Sequence, residues 1–503
     1  MIRRLLVANR GEIAVRVIRA CRELGIESVS VCSDVDEHAP HAVLADHVVR
    51  IGGAASADSY LVIGKIIDAA RSTGADAVHP GYGFLSENPA FAAACADAGL
   101  TFVGPPAAVI ERMGSKVGAR ALVQRAGVAV VPGGTPADQT AEGLRAAAEG
   151  VGYPLLLKAS AGGGGKGMRI VEEARGLAEA IEAARREATS AFGDGTLYVE
   201  RLIRRPRHVE IQVLADAQGH VVHVFERECS IQRRHQKVIE ESPSPALSPA
   251  LRARMGAAAV AAAMAAGYRN AGTMEFLLEG AGDDARFYFL EMNTRLQVEH
   301  PVTEAVTGID LVRAQIAIAR GEPLPWTQDG LTQRGHAIEC RVYAEDPQSG
   351  FLPQAGRLLL YREPTGPGVR VDAGVVEGGE VSVHYDPMLA KLIVAAEERR
   401  AAIERARAAL RQFAILGLAT NVPFLLRVLG HPAFVAGEVD TDFIGRELPA
   451  LLAPPPPETV SAAAAVAAAV AGPSGGPTLR SAAGRDGETD PWSRLGPWGR
   501  ATS

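Results

Sequence analysis

Phe287-Tyr-Phe-Leu-Glu-Met-Asn-Thr-Arg-Leu-Gln-Val-Glu299 carries a polar, ion-binding side chain at every odd position from Glu291 onward. A strand sends alternate side chains to one face. The pattern therefore predicts Glu291, Asn293, Arg295, Gln297 and Glu299 on one surface, with Leu290, Met292, Leu296 and Val298 turned into a core. Taken alone, the row also reads as an edge strand with a solvated face. The segment before it shifts the balance. Gly272-Thr-Met-Glu-Phe-Leu-Leu-Glu279 is a second strand pattern, and Gly280-Ala-Gly-Asp-Asp-Ala-Arg286 is a turn-rich break. A hairpin centred near Asp283 sets Glu275 opposite Glu291. Facing carboxylates destabilise a ladder unless a cation lies between them. Two carboxylates and the amide oxygen of Asn293 form a hard, oxygen-only set, which suits Mg²⁺ or Mn²⁺ arriving with substrate phosphates rather than zinc.

Working outward, the chain has 503 residues, 47% of them hydrophobic, enough to bury several cores and to form about two to four domains. A net charge of −6 with no Lys/Arg-rich face argues against nucleic acid as a partner. The five cysteines, Cys21, Cys32, Cys95, Cys229 and Cys340, are scattered and include no Cys-x-x-Cys pair, which fits a reducing cytoplasm. Asn9-Arg10-Gly11-Glu12 interrupts the apolar stretch after Arg3 and Arg4, so no signal-peptide core forms. The apolar run Ala462 to Ala471 has ten residues, whereas spanning a bilayer takes about twenty. No membrane contact is expected.

The expected architecture is α/β. Ile2 to Ala8 reads as a strand, Gly11 to Leu24 as a helix and Ser28 to Cys32 as a strand, an alternation that continues to about Pro105 and implies a Rossmann-like parallel sheet over residues 1–113. No Gly-x-Gly-x-x-Gly follows the first strand, so NAD is not assigned. Residues 114–330 hold the candidate phosphate and metal groups and form the expected catalytic body. Residues 331–448 form a third, α+β unit with a charged helix from Glu397 to Phe413. Residues 449–503, rich in Ala, Pro and Gly, read as a disordered tail or linker.

Leu155-Leu-Leu-Lys-Ala-Ser-Ala-Gly-Gly-Gly-Gly-Lys-Gly-Met168 is a strand entering a glycine-rich loop whose N–H groups can cradle phosphate oxygens. It is not a Walker A loop, and by itself it also reads as a flexible turn. Lys158 and Lys166 put two cations beside the same amides, and Lys116 is a third, which favours anion binding. Tyr198-Val-Glu-Arg-Leu-Ile203 is a strand leaving toward a connector that can present main-chain groups to an adenine edge. Arg207-His-Val-Glu-Ile-Gln-Val213 puts His208, Glu210 and Gln212 on one face, and Arg227 to Lys237 is dense in donors suited to a polyanion; a solvated charged strand is the other reading. His79-Pro-Gly-Tyr-Gly-Phe-Leu-Ser-Glu87 lies where open α/β sheets place ligands, with Tyr82 as its ligand-facing candidate.

Together these stretches resemble biotin carboxylase, the ATP-grasp component of biotin-dependent carboxylases. The agreement runs from Ile2 to about Leu448 through Asn9 to Ala14, His79 to Asn88, Ala161 to Met168, Arg227 to Glu241 and Glu291 to Glu304. The resemblance implies a Rossmann-like N-terminal domain, an ATP-grasp domain with a mobile lid over about 131–204, and a C-terminal biotin carboxylase domain. It implies a ligase joining bicarbonate to protein-borne biotin at the expense of ATP, by way of carboxyphosphate. ATP contacts are then expected from Lys116, Lys158, Gly164, Gly165, His208, Gln232 and His235, with Glu200, Arg201, Leu202 and Ile203 on the adenine side. Glu275 and Glu291 would hold the metals, two ions in all, with Asn293 assisting and Glu275 also facing the nucleotide. Bicarbonate would meet Lys237, Arg295, Gln297 and the Val298 backbone, where cations and amides suit a planar oxyanion. Glu299 matches the general base, and Arg341 in Glu339-Cys-Arg-Val-Tyr-Ala-Glu-Asp346 would stabilise the enolate-like oxygen of biotin. Tyr82 would line the substrate site.

None of the eight methionines precedes a lysine, so the Met-Lys pair of a biotinyl domain is missing. Biotin is expected on a separate carrier protein or domain, alongside a carboxyltransferase subunit and in a homodimer or larger assembly. The segments Glu438 to Ile444 and Asp490 to Arg500 are more similar to α subunits of methylcrotonyl- or propionyl-CoA carboxylases than to stand-alone acetyl-CoA carboxylase components, the pattern of a shortened relative. The competing enzyme reading is another ATP-grasp ligase that forms an acyl phosphate. Against it stands Arg295-Leu-Gln-Val-Glu299 taken with Arg341.

Overall fold

The computed structural model describes residues 2–160 and 168–453. Gly164, Gly165 and Lys166, and residues 454–503 of the expected disordered tail, lie outside the described residues, whereas 449–451 are ordered as the last turn of helix Phe443–Leu451, which corrects the start of that tail.

The N-terminal region is a parallel sheet whose five strands run in the order His47–Gly52, Glu27–Ser33, Arg4–Val7, Ala77–His79, Thr101–Phe102. Its strands are short and buried because helices cover both faces; helix Gly11–Glu23, for example, buries Ile13, Ala14, Val17, Ile18 and Cys21. Strand order reverses between Arg4–Val7 and Ala77–His79, so the loops leaving their carboxyl ends open side by side, at the usual ligand position of such sheets. Asn9 binds these loops together, its Nδ2 donating to the carbonyls of Pro80 at 2.7 Å and Tyr82 at 2.8 Å.

The second sheet is antiparallel throughout, with eight strands in the order Arg286–Asn293, Asn270–Glu279, Arg207–Ala215, Val221–Arg233, Gln236–Ser242, His336–Tyr343, Met388–Ala396, Val369–Ala373. It does not stop at residue 330: Ile239 pairs with Cys340, so one sheet carries both the expected catalytic body and the third unit. Under its first half, the Ala-rich helix Pro249–Ala266 packs Leu251, Met255, Ala259 and Ala262 against Val209, Ile211 and Met274. Under its second half lies helix Arg399–Gln412, which buries Ala402, Ile403, Ala406 and Leu410. A third sheet, Gly133–Gly134, Leu197–Arg201, Leu155–Ala159, Arg169–Val171, has its own core of Leu144, Leu155, Leu157, Ile181 and Leu197.

The hairpin register is as expected, Glu275 opposite Glu291, but by a different route. From Glu279↔Arg286 to Phe276↔Phe289 the ladder is regular, and continuing it would pair Glu275 with Leu290. A one-residue bulge at Leu290 corrects the register. Because side chains alternate with period two, that extra residue brings Glu291 onto the face of Glu275.

The single polar strand face is corrected by the structure. The strand ends at Asn293, and residues 294–299 form an irregular loop. Glu87 captures the Thr294 N–H at 2.9 Å, and Pro301 sits in the first turn of helix His300–Thr307, so the backbone has to leave the ladder before it. Only Met292 and Leu296 of the four expected core residues are buried; Leu290 and Val298 are half-buried. Among the described residues, no helix is long and apolar enough to cross a membrane.

Candidate active site

The loop 294–299 nevertheless returns its polar side chains to the sheet. Gln297 Nε2 donates to Glu275 Oε1 at 3.2 Å, and Arg295 bonds Asn293 Oδ1 at 3.0 Å and Glu87 Oε2 at 2.9 Å. Glu299, fully buried, meets two cations: Lys237 Nζ at 2.5 Å and Arg341 at 3.0 Å. Lys237 also reaches Glu210 at 2.6 Å and Glu275 at 2.9 Å, so one ammonium joins three carboxylates from three segments. Arg341 lies between Glu299 and Glu240, its Nε 2.6 Å from Glu240 Oε1. Arg227 closes the group from below by donating to Glu210, Gln212, Thr273 and Thr303 with no exposed surface. The reading of Arg227 to Lys237 as a solvated charged strand is thereby excluded.

These contacts set the charges. Burial raises a carboxyl pKa and opposite charges lower it. At Glu299 burial is outweighed by Lys237, Arg341 and Arg227, which hold the carboxyl well below its usual range. At Glu275 burial is outweighed by Lys237 and His208, whose Nε2 is 3.0 Å from Glu275 Oε2. At Glu240 burial wins over Arg341 and pushes the carboxyl up to about 7. Glu291 is raised by burial and then by facing Glu275. An ionised Glu275 opposite a Glu291 that resists ionisation is an arrangement that a cation would stabilise. A divalent ion reverses the sign for both groups, and their oxygens with that of Asn293 are hard donors suited to Mg²⁺.

Beside this pair is a cleft of about 330 Å³ lined by Lys116, Met113, Phe289, Leu290, Glu291, Met292, Asn293 and Arg295, among others. It combines an apolar wall with a carboxylate and a lysine. Lys116 opens helix Lys116–Arg125, and burial lowers its pKa. Lys158 on Leu155–Ala159 is buried, with Nζ 2.6 Å from Glu200 Oε2, and Arg120 holds the other Glu200 oxygen. The Arg201 side chain is engaged elsewhere, in a bidentate pair with Glu279 at 2.9 Å, while Ile203 packs with Val131 and Tyr288. Leu202 is half-buried, its N–H directed to the carbonyl of Pro154. His208 and Gln232 are neighbours on adjacent strands, Gln232 Nε2 lying 3.5 Å from His208 Nδ1. His235 sits in the two-residue turn Arg234-His235, where both residues have positive φ, the hairpin type that matches strand twist. Tyr82 donates its hydroxyl to Glu12, and the Val298 carbonyl accepts from Lys391 at 2.8 Å.

The structure therefore gathers Lys237, Glu275, Gln297, Glu299 and Arg341 with Glu210 and His208. Sequence reasoning assigned no role to Glu210, Glu240, Arg120, Glu12 or Lys391. Glu210 alternates with His208 on a strand, and Lys391 is the only charge in Met388–Ala396, so both carried a readable signal. Arg120 sits on a helix and carried none, and Glu12 lies within the Asn9 to Ala14 stretch without any role following from it.

A carboxylate pair with lysines on neighbouring elements suits a nucleotide and its metal. Residues 1–110 match the biotin carboxylase N-terminal domain, residues 115–327 the carbamoyl-phosphate synthase L chain ATP-binding domain, and residues 339–446 the biotin carboxylase C-terminal domain. The matched ATP-binding domain gives the class, an ATP-grasp ligase. The chain is 51% identical over 448 residues to the biotin carboxylase of Halalkalibacterium halodurans, covering 89% of this chain and 98% of that one. It is 49% identical over 452 residues to the mitochondrial methylcrotonoyl-CoA carboxylase subunit alpha of Mus musculus, covering 90% of this chain but 63% of that one. Among solved structures it is similar to the biotin carboxylase domain dimer of Hydrogenobacter thermophilus 2-oxoglutarate carboxylase in complex with MgADP, ADP and bicarbonate. That match has TM-score 0.86 and 45% identity, over 90% of this chain and 100% of that one. A Campylobacter jejuni biotin carboxylase complex is similar at TM-score 0.85 and 45% identity, over 89% of this chain and 99% of that one. The chain belongs to the biotin carboxylase family and is an ATP-dependent ligase that carboxylates biotin.

Proposed function

We propose that this chain performs the first half-reaction of a biotin-dependent acyl-CoA carboxylase, with the residue roles that follow. The observation that carries the reading is the convergence of Lys237 and Arg341 on the ionised Glu299, next to the facing carboxylates Glu275 and Glu291. Lys116, Lys158, His208, Gln232 and His235, with Gly164 and Gly165, bind the ATP phosphates. Glu200 to Ile203 bound the adenine, Glu200 by fixing Lys158 and Arg201 through its main chain. Glu275 and Glu291, assisted by Asn293, would hold Mg²⁺, which would supply charge neutralisation on the phosphates.

Bicarbonate enters between Arg295, Gln297, Lys237 and the Val298 N–H. An entering anion competes for Lys237, which loosens its hold on Glu299 and raises the basicity of that carboxylate. Glu299 then takes the bicarbonate proton, the freed oxygen attacks the γ-phosphorus and ADP leaves with the electrons of the broken P–O bond. Carboxyphosphate breaks into CO₂ and phosphate. The phosphate removes the ureido N–H proton of biotin, Arg341 stabilises the oxyanion that develops, and the nitrogen attacks CO₂. Tyr82 lines the biotin side.

We divide the chain at 113/114, 330/331 and 448/449, with residues of about 131–204 closing as a lid; the separate core of that unit supports motion as a body. A biotin carrier protein or domain, a carboxyltransferase subunit and a homodimer complete the proposed assembly, in the cytoplasm.

The test is phosphate release from ATP with Mg²⁺, varying bicarbonate and free biotin. Release that requires bicarbonate and rises with biotin is expected; release indifferent to both would move the assignment to another ATP-grasp ligase. Glu291→Gln is expected to raise the Mg²⁺ concentration for half-maximal rate by about tenfold or more, since one anionic ligand is lost. An unchanged Mg²⁺ titration would remove Glu291 from the metal site.

A further inference from the structure

Lys391 is fully buried, and its partners come from three different segments of the chain. Its Nζ donates to the Val298 carbonyl at 2.8 Å, lies 3.2 Å from Glu12 Oε1 on the first helix, and is 4.0 Å from Asp372 on the neighbouring strand. Across the ladder it stands directly opposite Arg341. Adjacent strands thus send two cations toward one loop, Arg341 to the Glu299 carboxylate and Lys391 to the carbonyl before it. The same Glu12 oxygen that faces Lys391 accepts from the Tyr82 hydroxyl.

We infer that Lys391, with Glu12, is a positioning residue for both small substrates: it fixes the Val298 peptide from behind and, through Glu12, the Tyr82 ring on the biotin side. This rests on the roles proposed above for Val298 and Tyr82. The physical reason is that a peptide plane is rigid, so the anchored Val298 carbonyl fixes the Glu299 nitrogen and Cα in its own plane, and holds the Val298 N–H of the preceding plane through the Cα that the two planes share. Anchoring the Val298 carbonyl helps hold residues 298–299, where the bicarbonate donor and the base meet, and small displacements there are costly to rate. An ammonium in this place needs a counter-charge. Asp372, where burial is outweighed by Arg370 and Lys391, is held below its usual range and supplies it together with Glu12, whose carboxyl burial pushes up to about 7. Glu339, nearby with neither oxygen hydrogen-bonded, is held neutral by burial.

The experiment compares the parent chain with Lys391→Met, Glu12→Gln and the double variant in steady-state phosphate release, varying ATP, bicarbonate and free biotin separately and recording the melting temperature of each. If the parent shows no bicarbonate-dependent, biotin-stimulated release, the functional reading fails and not this inference. Given that activity, Lys391→Met is expected to raise the bicarbonate KM about tenfold or more, with the ATP KM within about twofold. Glu12→Gln is expected to raise the biotin KM more than the ATP KM. The double variant removes a buried ion pair as a unit, so it regains melting temperature without regaining the bicarbonate KM. That arm decides the matter if Lys391→Met alone fails to fold. Unchanged bicarbonate KM in the double variant, or equal rises for all three substrates, overturns the inference and leaves Lys391 a structural ion pair.

Discussion

Glu299→Gln lowers bicarbonate-dependent phosphate release about 10³-fold, the loss expected when a positioned general base is removed, while the ATP KM moves by no more than about threefold. The exchange is nearly isosteric in a site with no exposed surface. The amide still accepts a hydrogen bond from Lys237 or Arg341, so the loop keeps its place, but it carries no charge and takes no proton. A pH signature accompanies the loss. Glu299 is held below its usual range in the folded chain, so it contributes stability that is present above the unfolded carboxylate pKa and lost as pH falls through the folded one. The variant lacks that contribution, and its melting temperature should fall less than the parent's on acidification. Single-turnover phosphate release with excess enzyme reads the chemical step directly; parental rates in Glu299→Gln would place the base elsewhere.

Lys237→Met is expected to damage activity and stability together. Its ammonium is the common partner of Glu210, Glu275 and Glu299, at 2.6, 2.9 and 2.5 Å. Removing one partner of a buried ionic cluster costs about 3–5 kcal/mol, because the remaining charges stay desolvated and uncompensated. The carboxylates respond by binding protons, so their folded pKa values rise. A group whose folded pKa is raised contributes stability below its unfolded pKa that is lost as pH rises. The stability deficit of the variant relative to the parent should therefore already be present near pH 5, where Glu275 and Glu299 of the parent are ionised, and widen further toward pH 8, which thermal melts across that range will measure. Turnover with saturating ATP should fall at least about 10²-fold, since the same cation serves bicarbonate. A deficit independent of pH would show that Lys237 is not what neutralises the three carboxylates.

Much of the architecture was legible in the sequence because it follows from local periodicity. The βαβ alternation from Ile2 to about Pro105 is the parallel sheet, and the charged stretch Glu397 to Phe413 is helix Arg399–Gln412. The facing carboxylates were legible because Glu275 and Glu291 lie on two strands joined by a short, turn-rich segment. The polar row Glu291 to Glu299 does not form the single strand face that its alternation predicts, because the strand ends at Asn293. Alternation in sequence cannot show that Pro301 opens a helix whose first turn draws the backbone off the ladder at Thr294.

By itself the sequence determined the layered α/β plan, the family and the chemical identity of the groups gathered at the candidate site, since these depend on residue type and on spacing within one or two elements. Only the tertiary structure decided how those groups are charged and aimed. Lys237 lies 38 residues from Glu275 and 62 from Glu299, and Arg341 reaches Glu299 because Gln236–Ser242 and His336–Tyr343 pair in one continuous sheet. The Leu290 bulge, absent from any periodic pattern, is what brings Glu291 to face Glu275. Burial and long-range pairing set the protonation of each carboxyl, and those are properties of the packed chain, invisible to any stretch of it read alone.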